Sequence, residues 1–320
     1  MLQHLVIMLD DTAASYCHYE SRKTQRRLIS LDSLKSGILF AMKQNLMLQV
    51  VYPRYEIPDG HKAAIESIDH CKVAQGNGCV RGVAVIIFDG WRDAESRLAV
   101  AEAAESKEKI VVLRTGKADF FAGHASAMQL LSRAERLNVA LTDVDTFGEK
   151  DFAAYREALA ALGEAVKQLY AQGLRPQLNI LTDRLQLEKA NSCNAGYENV
   201  TLAPNGKFYV CPAFYLEDES DAVGDLSAGL DVKNRYLYGI SHAPLCRTCD
   251  AYQCRRCVWL NRKTTGEVNT PSREQCVVAH LERNASRNLL RSLQSAGLYS
   301  AENAIDEVSY LDPFDALTGR

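Results

Sequence analysis

Seven cysteines fall in the last two-fifths of the chain: Cys193, Cys211, Cys246, Cys249, Cys254, Cys257 and Cys276. Four of them share the run Cys-Arg-Thr-Cys-Asp-Ala-Tyr-Gln-Cys-Arg-Arg-Cys, residues 246–257. Thiols at such short spacings meet in one place when a disulfide set or a metal centre draws them together. The choice turns on the redox compartment. The opening Met-Leu-Gln-His-Leu-Val-Ile-Met-Leu-Asp-Asp lacks a basic leading region, and its apolar run stops at two aspartates, so it does not read as a secretory signal. No stretch has the ~18–20 apolar residues that span a bilayer. These features place the chain in the cytoplasm, where clustered cysteines bind metal far more often than they form disulfides.

Zinc ribbons set two Cys-x-x-Cys knuckles ~15–20 residues apart. Here only four residues separate Cys249 from Cys254, which is cramped for one zinc tetrahedron and leaves Cys193, Cys211 and Cys276 without a role. Iron–sulfur clusters accept a dense local run of thiolates together with a distant one. The seven cysteines nearly fill two four-iron clusters. A single zinc with residual thiols stays open as the alternative.

Outside this region the most suggestive pair is Cys17-His18, near Asp10 and Asp11 at the end of the first apolar run. A thiolate there would exchange with substrate cysteines, with His18 lowering its pKa; the competing reading is a small packed residue beside a surface imidazole. Asp10, Asp11, Asp89, Arg114, Asp143, Asp145 and Asp183 end successive apolar runs, where polar residues line the working face of a (β/α) barrel or simply cap turns and helices. His242 and His280 are candidates for a missing metal ligand, and Arg255 and Arg256 would offset the charge of clustered thiolates. Cys71 and Cys79 read as buried or idle thiols.

The elements that must position these residues read as α/β. Strand-like apolar runs cover His4–Leu9, Leu46–Tyr52, Val83–Phe88, Ile110–Leu113, Val139–Val144 and Leu178–Leu181. Helical spacing marks Leu31–Lys43, Ala125–Leu137 and, most clearly, Phe152–Tyr170 with Gly173 as its stop. Strands separated by helices pair in parallel through right-handed crossovers, giving a doubly wound sheet or a partial barrel. Near Asn191 the texture changes. Val200–Leu202 and Phe208–Val210 flank Pro204-Asn205-Gly206 as a β-hairpin that brings Cys193 and Cys211 near each other. A helix resumes near Gln275, and the tail beyond Ala301 is acidic. With 320 residues, 47% of them hydrophobic, and a formal charge of −3, there is chain enough for a sizeable core and no electrostatic case for nucleic acid or membrane as partner.

Cys193-Asn-Ala-Gly, Asn205-Gly206 with four residues to Cys211, Val223-Gly224-Asp225-Leu226, the four-cysteine run and then Cys276 resemble the SPASM domain, found at the C-terminus of radical S-adenosylmethionine enzymes that modify peptides. The family spacing is Cys-x2-Cys-x5-Cys-x3-Cys; this chain has four and two residues in the last two gaps. The resemblance implies a partial (β/α)6 radical-SAM-like barrel at residues 1–190, a small cysteine-rich SPASM-like iron–sulfur domain with a β-hairpin at 191–282, and a C-terminal helix and tail at 283–320. It also implies one or two [4Fe-4S] clusters, one on Cys246, Cys249, Cys254 and Cys276, the other on Cys193, Cys211 and Cys257, whose fourth position has no obvious cysteine.

The Cys-x3-Cys-x2-Cys motif that such enzymes carry after the first strand is missing; only Cys17, with His18 beside it, lies there. Across nearly the full length, from the opening His-Leu-Val-Ile-Met-Leu-Asp-Asp-Thr to Cys257-Val-Trp-Leu-Asn and Gln275-Cys-Val-Val-Ala-His, the chain resembles the CXXX repeat peptide maturase family. That likeness implies maturation of a small, ribosomally made cysteine-repeat peptide, with auxiliary clusters but without cleavage of S-adenosylmethionine. The alternatives are a non-catalytic partner that presents the peptide to a true radical enzyme, and a zinc-stabilised binding protein.

Overall fold

The computed structural model describes residues 2–21, 23–76, 80, 82–91, 110–132, 134–300 and 304–318. In chain order the elements are β1 (His4–Met8), α1 (Leu31–Gln44), β2 (Met47–Val51), α2 (Asp59–Glu66), β3 (Cys71–Gln75), β4 (Val85–Asp89), β5 (Ile110–Thr115), α3 (Lys117–Gly123), α4 (Ala127–Leu131), β6 (Arg136–Leu141), α5 (Glu149–Ala171), β7 (Gln177–Leu178) and α6 (Asp183–Gln186). There follow β8 (Asn199–Leu202), β9 (Phe208–Tyr209), α7 (Pro212–Glu217), β10 (Gly224–Asp225), β11 (Gly229–Leu230), α8 (Val258–Thr265), α9 (Arg273–Ser295) and α10 (Pro313–Thr318). The chain forms two compact units, residues 1–87 with 193–244, and residues 88–192 with 245–320.

In the first unit β1 is the central strand. Leu5 to Leu9 are all buried, the continuous apolar run expected of a strand covered on both faces. It pairs in parallel with β2 (Leu5↔Leu48) and with β8 (Leu5↔Val200), and β2–β3 and β3–β4 continue in parallel. Helix α1 starts where Ser30 Oγ accepts the Ser33 N–H (3.1 Å) and ends at Asn45 in the left-handed region. Its Leu34, Ile38 and Ala41 lie one helical turn apart and pack with Leu5, Ile7, Leu48, Val50, Val200, Leu202 and Phe208. Strands β8 and β9 form the antiparallel hairpin, Thr201↔Tyr209 and Leu202↔Phe208, with Gly206 at φ +77° in its turn.

In the second unit β5, β6 and β7 pair in parallel, Ile110↔Arg136 and Arg136↔Gln177. Helices α5 and α9 pack together through buried stripes that include Tyr155, Leu159, Leu162 and Val166 on one and Leu281, Leu289 and Leu293 on the other. Ser272 Oγ accepts the Gln275 N–H (3.3 Å) at the start of α9 and so fixes the turn that carries Cys276. Gly173, at φ +84°, follows the end of α5.

The α/β class with mostly parallel strands agrees with the sequence. Several boundaries do not. Of the helix expected over Ala125–Leu137, only Ala127–Leu131 is α-helical, and β6 already begins at Arg136, so the strand expected at Val139–Val144 lies three residues earlier. Arg136 and Asn138 alternate with buried Leu137 and Val139, which gives this strand one polar side. Of the expected last strand Leu178–Leu181 only Leu178 is paired, together with Gln177 before it, because Leu181 and Thr182 turn back onto the Leu178 carbonyl. Cys71, read from the sequence as a buried or idle thiol, begins β3, a strand not among the expected runs. Among the described residues no helix is long and apolar enough to cross a membrane.

Candidate metal centre

In the second unit the cysteine run is mostly irregular, with one short 3-10 turn at Cys246–Thr248. Its path is fixed by polar contacts. Gln253 Nε2 donates to the Ala279 carbonyl (2.8 Å), and Arg184 Nε donates to the Asp250 carbonyl (2.7 Å). Arg283 holds the Asp250 carboxylate, kept below the usual carboxylate range by Arg283 and Arg184 against the opposing effect of burial.

These contacts place Cys246, Cys249, Cys254 and Cys276 in one locality. The Cys276 thiol feels Cys254, Cys246 and Cys249; Cys254 feels Cys246 and Cys249; Cys246 feels Cys249. Neighbouring thiols of the set thus add to the rise of Cys246, Cys254 and Cys276. Burial pushes Cys246 up to about 11, opposed by the Arg256 guanidinium, and pushes Cys254 up to about 12, opposed by a backbone N–H bond from Arg256. Cys276 is raised as well, chiefly by burial. Such a set needs a cation to become thiolate, which is the condition a metal or iron–sulfur core supplies on binding. Four cysteine sulfurs are a donor type that iron–sulfur clusters and zinc both take.

His280 lies beside this set. Its Nε2 is 3.6 Å from Cys249 Sγ, while its Nδ1 meets the Leu311 carbonyl. A carbonyl only accepts, so Nδ1 carries the proton and the unprotonated Nε2 faces the thiol. Burial lowers the imidazole's pKa, which favours this neutral form. Cys257 has a different setting: its sulfur accepts the Leu260 N–H (3.4 Å) at the start of α8. Arg255 is exposed, whereas Arg256 is buried and acts on Cys246.

The first unit holds Cys17, Cys193 and Cys211. Burial raises the Cys211 thiol, and so do the neighbouring thiols of Cys193 and Cys17; N–H groups of Phe214 and Ala213 act on it in the opposite sense. Tyr16 is pushed well above its ordinary range by burial first, then by Tyr19, Cys17, Cys211 and Cys193. Of the set that the resemblance names for a second cluster, Cys193 and Cys211 belong to the first unit and Cys257 to the second. His18 is half-buried, and His242, also in the first unit, is exposed with its Nδ1 3.0 Å from Ser241 Oγ. Cys71 is half-buried with its pKa raised by burial, as an unreactive thiol would be; Cys79 lies outside the described residues.

All nine described cysteines are thiols. Among the described residues no three Cys, His, Asp or Glu side chains are drawn tightly enough around one point to hold a single ion. A four-iron core sets inorganic iron and sulfide between its thiolates and so needs them gathered around a volume.

The strand-end polar residues are engaged in structural contacts. Asp10 accepts from Thr12 Oγ1 (2.6 Å) and Tyr55 OH (2.7 Å). Asp11 accepts from Tyr215 OH and from Arg27 Nε (3.1 Å). Asp89 pairs with Arg114 (2.5 Å), Asp183 with Arg136, and Asp145 with Lys263 (2.8 Å); Asp143 accepts the Lys117 N–H (2.9 Å) at the start of α3. Sequence reasoning missed Asp250, Arg184, Arg283, Tyr16 and Tyr215. Asp250 adjoins Cys249 and Tyr16 adjoins Cys17, but adjacency alone marks no partner.

No family model matches the sequence, and no curated protein matches it. Solved structures do match. That of hexahistidine-tagged anSMEcpe with bound AdoMet superposes with a TM-score of 0.61 at 10% identity, covering 91% of this chain and 96% of that one. Native anSMEcpe with bound AdoMet and Cp18Cys peptide superposes with a TM-score of 0.60 at 10% identity, covering 91% and 99%. The Kp18Cys peptide complex gives 0.57, again at 10% identity and 91% of this chain. At such identity the likeness is one of fold: this chain shares the α/β fold of those structures over most of its length.

Proposed function

We propose that this protein takes part in the maturation of a ribosomally made, cysteine-containing peptide, with iron–sulfur chemistry held by its clustered cysteines and without reductive cleavage of S-adenosylmethionine. The observation that carries the reading is the short run bearing Cys246, Cys249 and Cys254, which the Asp250–Arg283 contact ties to the helix that carries Cys276. The fold likeness supports it, since the anSMEcpe structures hold bound AdoMet together with a Cp18Cys or a Kp18Cys peptide. A bound cluster would supply redox chemistry or a sulfur-binding iron. The chain's own part is to hold the four thiolates, to neutralise part of their charge through Arg256, and to present unprotonated His280 Nε2 at Cys249. Zinc on the same four thiolates is the competing metal.

A second reading has a specific observation behind it. The loop after β1 has Cys17 as its one cysteine where self-sufficient radical enzymes carry three. This favours a partner that binds the peptide for a radical enzyme over a complete catalyst. One experiment covers both readings. Protein purified without oxygen is analysed for iron, sulfide and zinc, then incubated with cysteine-repeat peptide, alone and with a radical-SAM enzyme. A mass change in the peptide with this protein alone supports the enzyme; a change that needs both proteins supports the partner. Stoichiometric zinc, or no metal, overturns the iron–sulfur reading.

A further inference from the structure

We propose that residues 304–315 form a releasable strap, drawn along one face of α9, that closes over His280 and so controls access to the imidazole beside the thiol set. The strap is a property of the polypeptide alone and stands whether or not metal is bound there.

Beyond α9 the chain runs back along that helix. Arg287 Nε donates to the Ile305 carbonyl (3.2 Å), and its Nη2 donates to the Glu307 carboxylate (2.6 Å). His280 Nδ1 donates to the Leu311 carbonyl, and its ring meets the Tyr310 ring edge-on with centroids 5.5 Å apart. Arg273 Nε lies 3.3 Å from the Asp312 carboxylate. The three anchors, Arg273, His280 and Arg287, follow one another at seven-residue intervals, two helical turns each, and so share one face of α9. From the first anchor to the last the helix advances about 21 Å at its usual rise. The seven residues from Ile305 to Asp312 reach at most roughly 23–25 Å when extended. The strap is therefore close to taut and antiparallel to α9, with no slack to slip its register.

Its hold is nevertheless shallow. Of residues 304–315 only Ile305 and Asp312 are buried. The ion pairs at its two ends involve side chains that are 76% exposed at Glu307 and 46% exposed at Arg273, and such pairs contribute little to stability. Between the strap and α5 lie two cavities of about 430 and 870 Å³, both lined by Arg156, Ser309, Tyr310 and Leu311. The middle of the strap thus rests beside open space on that side. Segments with so few buried contacts open locally, at free energies well below that of global unfolding.

His280 is what the strap covers. The ring is 4% exposed, with Nε2 at 3.6 Å from Cys249 Sγ and Nδ1 held by the strap. Release of the strap removes the acceptor of Nδ1 and the Tyr310 contact in one step. The ring is then free to turn away from Cys249 and is reachable from solvent. The strap is in this way a two-position element, closed with the imidazole fixed at the thiol and open with it released.

The test uses the full-length protein as purified. Diethylpyrocarbonate acylates accessible neutral imidazoles, and each histidine is read by mass spectrometry beside hydrogen exchange of the backbone. In urea below the unfolding transition, the amides of residues 304–315 and the His280 ring are expected to become reactive together. His61, buried in the first unit with Nε2 2.8 Å from the Ile29 carbonyl, is the protected reference. Glu307→Lys combined with Asp312→Lys reverses the charge at both ends of the strap and should raise the rate at His280 roughly tenfold, with His61 unchanged. A His280 ring that reacts only on global unfolding overturns the proposal. So does strap exchange that leaves His280 protected, or a double variant whose His280 reacts at the wild-type rate. The urea arm needs no substitution, so a misfolded variant leaves the result decided. Neither arm depends on metal, so iron-free protein would remove the iron–sulfur reading and leave the strap standing.

Discussion

Arg283, whose side chain is fully buried, meets Asp250 through two parallel hydrogen bonds of 2.6 Å each. Asp250 follows Cys249 directly, and Arg283 stands seven residues beyond Cys276 on α9. The fork therefore locks the irregular cysteine run to the helix that supplies the fourth thiol. Arg184 adds a weaker contact to the same carboxylate at 3.3 Å.

Replacing Arg283 is expected to destabilise the fold, and the size of the loss should depend on geometry as well as charge. Arg283→Met removes both bonds and leaves Asp250 with Arg184 alone, at a cost of about 3 kcal/mol. Arg283→Lys keeps the charge but cannot form the planar fork, and should cost about half as much. Urea unfolding of both variants checks this; equal losses for Met and Lys would mean that the fork geometry contributes nothing.

Gly224 lies in the Val223-Gly224-Asp225-Leu226 segment and adopts φ +128°, a conformation that L side chains rarely reach. A Cβ there would sit 2.0 Å from the Gly229 carbonyl oxygen across the β10–β11 pair. Backbone cannot yield as a side-chain tip does. Gly224→Ala should cost about 2–3 kcal/mol and open the hairpin. Amide exchange at Asp231, whose N–H bonds the Val223 carbonyl (2.7 Å), is the local readout, and unchanged protection there would count against it.

Glu219 connects charge to stability in the first unit. Its hydrogen bonds to Arg27 first, and then to Lys23 (2.5 Å), hold its pKa at about 2. A carboxyl depressed in the folded state contributes stability above its unfolded pKa, near 4.3, and loses it as pH falls towards 2. The side chain is 43% exposed, so solvent screening keeps the contribution at pH 7 below about 1 kcal/mol. Glu219→Gln should flatten the decline in unfolding free energy between about pH 4.3 and pH 2. An unaltered acid limb would show that the pair is energetically idle.

What the sequence disclosed follows from how local each signal is. The buried run Leu5–Leu9 and the helical stripe Phe152, Tyr155, Leu159, Leu162, Val166 and Leu169 need only their own spacing to be read, and both elements are where the pattern puts them. Strand β3 was hidden because Cys71-Lys-Val-Ala-Gln offers little apolar signal and takes its form from pairing with β2 and β4. The same division holds at the thiol set. Four cysteines in one short run announce themselves, whereas the Asp250–Arg283 fork and the Tyr215–Asp11 hydrogen bond exist only after distant segments have folded together.

Loss of metal should loosen the cysteine run before the rest of its unit. Between Ala243 and Val258 the described backbone has one short 3-10 turn, so the segment relies on the contacts of Asp250 and Gln253 and, when metal is bound, on its thiolates. Arg247 and Arg255 are exposed within it and offer trypsin two sites. Binding of metal to deprotonated thiols contributes folding free energy to the segment that supplies them. Chelation without oxygen should therefore speed cleavage at Arg247 and Arg255 roughly tenfold or more, while sites in the long helix α5 stay protected. Reloading with iron and sulfide should restore resistance, and zinc should do so only if four thiolates and one ion suffice for the site. Digestion followed by mass spectrometry reads every site in one experiment. Cleavage at the two arginines that ignores metal content would mean that the run keeps its shape through polar contacts alone, and that the cysteines contribute nothing to holding it.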